Sequence, residues 1–202
     1  MNGNGILIII SGPSGSGKGT VVNNLVKRDD YSLSISATTR TPRPNEQEGV
    51  HYFFKTKDEF ELMKKQNEFL EYACFCDNYY GTPKNYVEEQ LKIGKNVILE
   101  IEVQGALQVK KFFPECVLVF LVAPNIDELR KRLVNRGTES NEVIQKRIDR
   151  AIQEMDFIPQ YDYVIVNNSV EEAEKEIEVI VKAEKMKSFR NLNIINLFKG
   201  EI

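Results

Sequence analysis

The chain has 202 residues, of which 42% are hydrophobic and 28% are charged, and its formal net charge is −3. This length is enough for one compact unit with a good core and a small insertion. The weakly acidic charge gives no indication of binding to nucleic acid or to a membrane surface, and no apolar run approaches the length of a membrane span. We therefore expect neither partner.

Cysteine and histidine are few in this chain. Three cysteines, Cys74, Cys76 and Cys116, form an odd number at irregular spacing, and the single histidine, His51, has no metal-ligand neighbours. This pattern does not match a zinc site. The apolar run at 6–10 is too short for a signal peptide. These features predict a protein of the reducing cytoplasm.

Strand and helix patterns alternate along most of the chain. Continuous apolar runs predict buried strands at 6–10, 97–103, 117–122 and 163–166. Helical spacing follows the first strand over 21–26, and a long amphipathic helix is predicted from 170 to about 187. Strands separated by helices indicate a parallel sheet covered on both faces.

Two stretches interrupt this alternation. Residues 36–83 contain short β-prone pieces, several turn residues and one short helix near 56–66, which predicts a β-rich insertion. Residues 126–159 contain two strongly charged helical patterns joined at Gly137. Ser140 is the predicted N-cap of the second helix, with Glu142 in its first turn.

The stretch SGPSGSGKGT, residues 11–20, follows the first predicted strand and precedes a helix. Its Gly12-x-x-x-x-Gly17-Lys18 spacing matches the phosphate-binding P-loop. Glycines let backbone N–H groups turn towards phosphate oxygens, while the helix N-terminus and Lys18 add positive charge. A plain Gly/Ser turn is the structural alternative, but the match in this context favours binding of a nucleoside triphosphate. Gly19 replaces the usual hydroxyl residue, so magnesium is expected to rely on phosphates, water and nearby acidic groups, with Thr20 towards phosphate.

Two carboxylates, Glu100 and Glu102, lie two residues apart in the predicted strand 97–103 and so share one of its faces. They stand at its carboxyl end, where ligands bind in open α/β sheets. Like charges on a buried strand need a cation or a donor-rich ligand nearby. The alternative is an edge strand with one solvated face.

Arginines are concentrated in the two interrupting stretches. Arg40 and Arg43 lie among hydroxyl residues and prolines, and arginine suits phosphate binding through paired hydrogen bonds. Ordinary surface arginines are the alternative. Arg132 and Arg136 are four residues apart and share a helical face, and Arg147 flanks the apolar face of the next helix.

Taken together, seven segments resemble the guanylate kinase family, in that family's order and over nearly the whole chain. They are SGPSGSGKGT, SATTRTPRPNEQEGVHYFF, FLEYACF, NYYGTP, ILEIEVQGA, RGTES and YVIVNN. The resemblance implies an α/β fold, with a P-loop NTPase core whose parallel five-stranded sheet is flanked by helices, a small β-rich GMP-binding insertion and a helical lid. The implied ranges are 1–35, 84–125 and 160–202 for the core, 36–83 for the insertion and 126–159 for the lid.

The resemblance also implies an ATP:GMP phosphotransferase of purine nucleotide metabolism and recycling. It would transfer the γ-phosphoryl group of ATP to GMP or dGMP, with Mg2+ and without a phosphoenzyme. The oligomeric state stays open between monomer and homodimer. Two alternatives remain, namely a kinase for another nucleoside monophosphate and a non-catalytic guanylate-kinase-like interaction module. The guanine-contact residues argue against the first, and the intact P-loop and arginines argue against the second.

The family pattern implies the following site residues. The ATP contacts are Gly12, Pro13, Ser14, Gly15, Ser16, Gly17, Lys18, Gly19, Thr20 and Asn167. The GMP phosphate contacts are Arg40, Arg43, Tyr52 and Tyr80, and the guanine contacts are Ser36, Glu71, Thr82 and Glu102. The catalytic residues are Lys18, Arg132, Arg136 and Arg147, and Glu100 is expected to hold magnesium indirectly, through water. Glu102 stands where most members have aspartate, and a buried Glu71–Glu102 pair is expected to reject AMP.

Overall fold

The structure, a computed structural model, describes residues 5–75, 77–135 and 140–200. In chain order its strands and helices are β1 (Leu7–Ser11), α1 (Lys18–Leu25), β2 (Tyr31–Leu33), β3 (Ala37–Thr38), β4 (Phe53–Phe54), α2 (Lys57–Lys65), β5 (Phe69–Phe75), β6 (Asn78–Pro83), α3 (Lys84–Lys92), β7 (Asn96–Glu100), α4 (Val103–Phe112), β8 (Val117–Val122), α5 (Ile126–Asn135), α6 (Asn141–Met155), β9 (Tyr163–Val166), α7 (Val170–Lys185) and α8 (Asn193–Lys199). Short 3-10 helices lie at Ile158–Gln160 and Ser188–Arg190.

The main sheet has five parallel strands in the order β2-β7-β1-β8-β9. Alternate residues of β1 enter two separate apolar clusters. Ile8 and Ile10 pack with α1 and α7 on one face, whereas Leu7 and Ile9 pack with α3 and α4 on the other. Burial of both faces explains why the strands are continuous apolar runs, and the predicted α/β fold is confirmed.

The first interrupting stretch forms a second sheet of four strands in the order β4-β3-β6-β5. Helix α2 packs on it through buried Phe60, whose ring stacks on Phe69 and Tyr79 with centroids 4.4 and 5.4 Å away. Its start is fixed by a capping box, in which Thr56 accepts from the Glu59 backbone N–H and Glu59 accepts from that of Thr56. The β-rich insertion is therefore present, while its exact domain boundaries stay a prediction.

The second interrupting stretch forms the helical pair α5 and α6. Their shared core is a separate apolar cluster built from Leu129, Leu133, Ile144, Ile148 and Ala151. The Ser140 hydroxyl accepts a bond from the Val143 backbone N–H, which confirms the predicted N-cap of α6. Gly137, predicted as the junction, and the candidate Arg136 lie outside the described residues.

The predicted strand 97–103 is too long. Strand β7 ends at Glu100, and α4 begins at Val103 with Glu102 as its N-cap. The prediction that Glu100 and Glu102 share one strand face is therefore wrong, because the chain leaves the sheet between them. Apolar residues at 99, 101 and 103 imitate the period of a strand, but Val103 belongs to the buried helical face that continues at Ala106 and Val109.

Candidate active site

The P-loop joins the central strand β1 to α1 at the carboxyl edge of the main sheet, where open α/β sheets bind ligands. Three of its glycines have positive φ, 139° at Gly12, 92° at Gly15 and 96° at Gly17. A Cβ atom at Gly12 would lie 2.0 Å from the Leu121 carbonyl oxygen, and one at Gly17 would lie 2.3 Å from Nδ2 of Asn167. Both backbone conformation and neighbouring groups therefore require glycine at these positions.

The start of α1 lacks a side-chain cap and has no acidic residue in its first turn. Its backbone N–H groups therefore suit an anionic ligand, such as a phosphate. Lys18 lies across the loop and donates from Nζ to the carbonyl oxygens of Gly12 at 2.5 Å and Pro13 at 3.1 Å. The loop thus brings together the cation and the backbone donors that the sequence predicts.

Asn167 holds the P-loop through a side-chain hydrogen bond to its backbone. It follows β9, is 2% exposed, and donates from Nδ2 to the Ser16 carbonyl oxygen at 2.8 Å. Its Oδ1 is buried and has no hydrogen-bond partner within the described part of the chain. In this structure the Asn167 amide packs against the loop. Its predicted contact with ATP stays a prediction.

The helical pair contacts the P-loop through two of the three predicted arginines. Arg132 on α5 donates to the carbonyl oxygens of Ser16 at 3.3 Å and Asn167 at 3.0 Å, and from Nε to Glu128 at 2.9 Å. This arginine lowers the pKa of the Glu128 carboxyl. Arg147 on α6 donates to the Ser14 hydroxyl at 2.7 Å. Both helices therefore place a cation on the loop.

Three of the four predicted contacts of the acceptor phosphate lie together on the insertion. The Arg40 guanidinium stands 5.5 Å from the centre of the Tyr52 ring, and the rings of Tyr52 and Tyr80 have centroids 6.0 Å apart. Hydrogen bonds to Glu46 and Tyr80 raise the pKa of Arg40 further above its usual value. A cation flanked by two tyrosines is a suitable site for a phosphate group.

Glu46 is a site residue that sequence reasoning missed. Its carboxylate accepts two bonds from Nη2 of Arg40, at 2.7 and 2.9 Å, and one from the Arg43 backbone N–H at 2.8 Å. Arg40 and the Arg43 backbone hold the pKa of Glu46 below its usual range. The available signal was the regular spacing of Arg40, Arg43 and Glu46, three residues apart in a proline-stiffened turn.

Glu71 and Thr82 form a buried polar pair between neighbouring strands of the insertion. Thr82 is fully buried and Glu71 is 8% exposed. The Thr82 hydroxyl donates to Oε1 of Glu71 at 2.7 Å, and Oε2 lies 3.2 Å from the position of a Cβ atom at Gly105 in α4. Burial raises the pKa of Glu71, while hydrogen bonds from Thr82 oppose this rise. The pair connects the insertion with the first turn of α4.

Glu102 lies apart from this buried pair. Its side chain is 73% exposed and its carboxylate accepts a bond of 2.7 Å from Nη2 of Arg150 on α6. The predicted burial of a Glu71–Glu102 pair is therefore wrong in this structure, because Glu102 lies beyond the end of the sheet, at the N-cap position of α4, with an exposed side chain. Sequence reasoning also missed Arg150, which is 48 residues away along the chain.

A cavity of about 150 Å³ lies between the main sheet and the insertion. Its lining residues include the predicted acceptor contacts Ser36, Tyr52 and Thr82, and also Glu100 at the end of β7. Both carboxylate oxygens of Glu100 lie 3.7 Å from the position of a Cβ atom at Gly19. Glu100 thus stands where the P-loop and the cavity adjoin.

The surroundings of Glu100 fit a magnesium ion that is held through water. A carboxylate oxygen is a preferred magnesium ligand, and the ion usually keeps several waters.

Within residues 5–75, 77–135 and 140–200, no group of three His, Cys, Asp or Glu side chains is arranged to hold a metal ion. In the same described ranges, no helix is long and apolar enough to cross a membrane.

Comparison with known proteins assigns the family. The family model for guanylate kinase matches residues 4–184. The chain belongs to the guanylate kinase family. The guanylate kinases of Oceanobacillus iheyensis and Clostridioides difficile are 54% and 50% identical to it over 187 and 200 residues. These matches cover 92% and 98% of this chain, and 91% and 98% of the relatives.

A solved guanylate kinase structure is also similar over the whole chain. The crystal structure of guanylate kinase from Anaplasma phagocytophilum matches with a TM-score of 0.75 at 31% identity. The match covers 99% of this chain and 97% of that one. The family resemblance of the sequence segments is therefore confirmed, together with the fold that it implied.

Proposed function

We propose that this chain is an ATP:GMP phosphotransferase, a guanylate kinase that transfers the γ-phosphoryl group of ATP to GMP or dGMP and releases ADP and GDP. The observation that carries the proposal is the position of Glu100, which lines the cavity beside the insertion and also flanks Gly19 of the P-loop. Donor and acceptor phosphates would meet at this point. Family membership supports the same reaction, and the placement makes a direct transfer feasible.

The donor side consists of the P-loop and its supports. Backbone N–H groups within residues 12–20, where Pro13 alone has none, bind the ATP phosphates, and Lys18 exchanges its carbonyl partners for phosphate oxygens. Asn167 and Arg132 hold the Ser16 carbonyl oxygen and so keep the loop in shape. Phosphoryl transfer depends mainly on positioning and on neutralisation of charge, which this arrangement serves without a protein nucleophile.

The acceptor side consists of residues from the insertion and the start of α4. Arg40, Arg43, Tyr52 and Tyr80 bind the GMP phosphate, and Ser36, Glu71, Thr82 and Glu102 bind guanine. The N–H donors of guanine match the carboxylate of Glu71, which the Thr82 hydroxyl holds in place by donating a hydrogen bond to it. The O6 and N7 acceptors of guanine suit an arginine or another hydroxyl donor. AMP lacks these donors, so the buried Glu71 carboxylate would keep only Thr82 as a partner and the site discriminates against AMP.

The helical pair α5 and α6 acts as the lid. Arg132, Arg136 and Arg147 neutralise the transferred phosphoryl group, and closure of the lid excludes the water that would otherwise hydrolyse ATP. Glu100 would hold Mg2+ through water, and the bound ion supplies additional neutralisation of the phosphate charge. The transfer is in line and passes through no phosphoenzyme.

The cellular setting follows from this reaction. We propose a cytoplasmic enzyme of purine nucleotide metabolism and recycling that acts on small nucleotides, without nucleic-acid or membrane partners. Sedimentation of the purified chain distinguishes the two possible oligomeric states, monomer and homodimer.

An assay of ADP release across GMP, dGMP, AMP and dTMP tests the proposal. We expect GMP to exceed AMP in kcat/KM by at least about 100-fold, because a buried polar site strongly disfavours a base that leaves it unpaired. Faster phosphorylation of AMP than of GMP would overturn the assignment. GMP binding without turnover would instead indicate a non-catalytic module. As a control, Lys18→Ala abolishes transfer while GMP binding survives, so retained turnover contradicts the role of the P-loop.

A further inference from the structure

Glu102 directs its side chain away from its own helix and towards the helical pair. It is the N-cap residue of α4, yet its side chain makes no capping hydrogen bond. Its carboxylate instead accepts a bond from Nη2 of Arg150 on α6, at 2.7 Å from Oε2. The contact therefore joins the start of α4, next to Glu71 and Gly105, to a helix that is remote in the chain.

Arg150 is oriented from two sides. Its Nε donates to Oε1 of Glu154 at 3.0 Å, one helical turn further along α6. The Glu154 side chain is 16% exposed, whereas that of Arg150 is 58% exposed. The largely enclosed carboxylate of Glu154 thus holds the exposed guanidinium of Arg150 at its Nε atom, and Nη2 is directed at Glu102. An arginine can satisfy two carboxylates at once because its donors form a rigid fork.

The same face of α6 also reaches the P-loop. Arg147 precedes Arg150 by three residues, so both side chains lie on one face of the helix. Arg147 donates to the Ser14 hydroxyl at 2.7 Å. One helix therefore contacts the donor side through Arg147 and, through Arg150, Glu102, which directly follows the cavity-lining residues Glu100 and Ile101.

We propose that Arg150 is a positioning residue for GMP: it holds the Glu102 carboxylate at the acceptor site and links it to the helix that carries Arg147. This inference rests on the proposed function, since it takes GMP as the acceptor. Arg150 occupies Oε2 of Glu102, and Oε1 is left to accept from a guanine N–H. An exposed glutamate that lacks this partner has more rotamers to lose when GMP binds, so GMP affinity falls.

Steady-state kinetics of the full chain test the proposal through KM for GMP, KM for ATP and kcat. Arg150→Ala raises KM for GMP by about 2- to 5-fold, the size expected for an exposed ion pair, and leaves KM for ATP and kcat unchanged. Arg150→Lys restores most of the loss, because the charge still reaches Glu102. Lys146→Ala, an exposed cation on the same helix, is the matched control and leaves all three constants unchanged.

A double-mutant cycle with Glu102→Gln identifies the partner. We expect Arg150→Ala to add no further rise in KM for GMP in the Glu102→Gln background. An equal rise in both backgrounds, or an unchanged or lowered KM in the single variant, would overturn the positioning role. Failure of the wild-type chain to prefer GMP in the nucleotide panel would refute the proposed function instead. The two failures are therefore distinguishable.

Discussion

The Thr82 hydroxyl donates a hydrogen bond of 2.7 Å to Oε1 of Glu71, and both residues are buried between the strands of the insertion. The carboxyl therefore has a neutral partner in an environment that penalises its charge, and burial raises its pKa. In the proposed reaction this same carboxyl accepts from guanine. Its ionisation thus links the stability of the insertion to GMP binding.

GMP affinity should increase with pH through the pKa of Glu71. The N–H donors of guanine favour the charged carboxylate, whereas burial in the free protein favours the protonated form, so binding releases a proton at lower pH. Titration calorimetry of the wild type and Glu71→Gln between about pH 5 and 8 measures this effect. The GMP phosphate titrates in both proteins and cancels in their difference. Parallel pH profiles would contradict the proposed role of Glu71.

Glu71→Gln should also stabilise the protein without ligand. Because the folded-state pKa of Glu71 is raised, its protonated form contributes stability at low pH, and this contribution is lost as pH rises through that pKa. Glutamine can still accept from Thr82 and carries no charge to bury. We expect the unfolding free energy of the variant to exceed that of the wild type increasingly as pH rises. Exposed Glu89→Gln serves as the control, and an equal gain there would refute the explanation.

Arg40→Ala should weaken GMP far more than ATP. Loss of a charge-assisted phosphate contact is expected to raise KM for GMP by about 100-fold. Glu46→Gln should cause a smaller rise, because Arg40 remains but is held less firmly. Arg28→Ala removes an arginine that pairs with Asp30 and Glu178 instead, and should leave both KM values unchanged. Equal weakening of both nucleotides by Arg40→Ala would contradict its placement.

Asn167→Asp should destabilise the P-loop. The substitution replaces the buried N–H donor that binds the Ser16 carbonyl oxygen with a carboxylate oxygen, which is an acceptor. The carbonyl oxygen and the carboxylate oxygen both carry negative charge and repel each other. We expect a loss of about 1–3 kcal/mol in unfolding free energy and a raised KM for ATP. Asn168→Asp changes the neighbouring exposed residue in the same way and is the control. Indistinguishable denaturation curves for the two variants would argue against the supporting role.

The sequence predicts the local parts of this molecule better than their partners. Spacing alone identifies the P-loop, since its glycines and Lys18 act within one short turn. The end of β7 was missed because alternating apolar residues continue through Ile101 into the first residue of α4. The burial of Glu71 against α4 and the pairing of Glu102 with Arg150 depend on tertiary contacts that no local period encodes.

The two halves of the proposed site differ in how firmly their backbones are held. Strand β1, which carries the P-loop, has a hydrogen-bonded neighbour on each side, whereas β3 and β4 of the insertion are two residues long. Local opening is easier where few backbone bonds must break together. We expect amide hydrogens of the insertion to exchange with solvent well before those of β1. The acceptor half could then open repeatedly while the donor half keeps its shape.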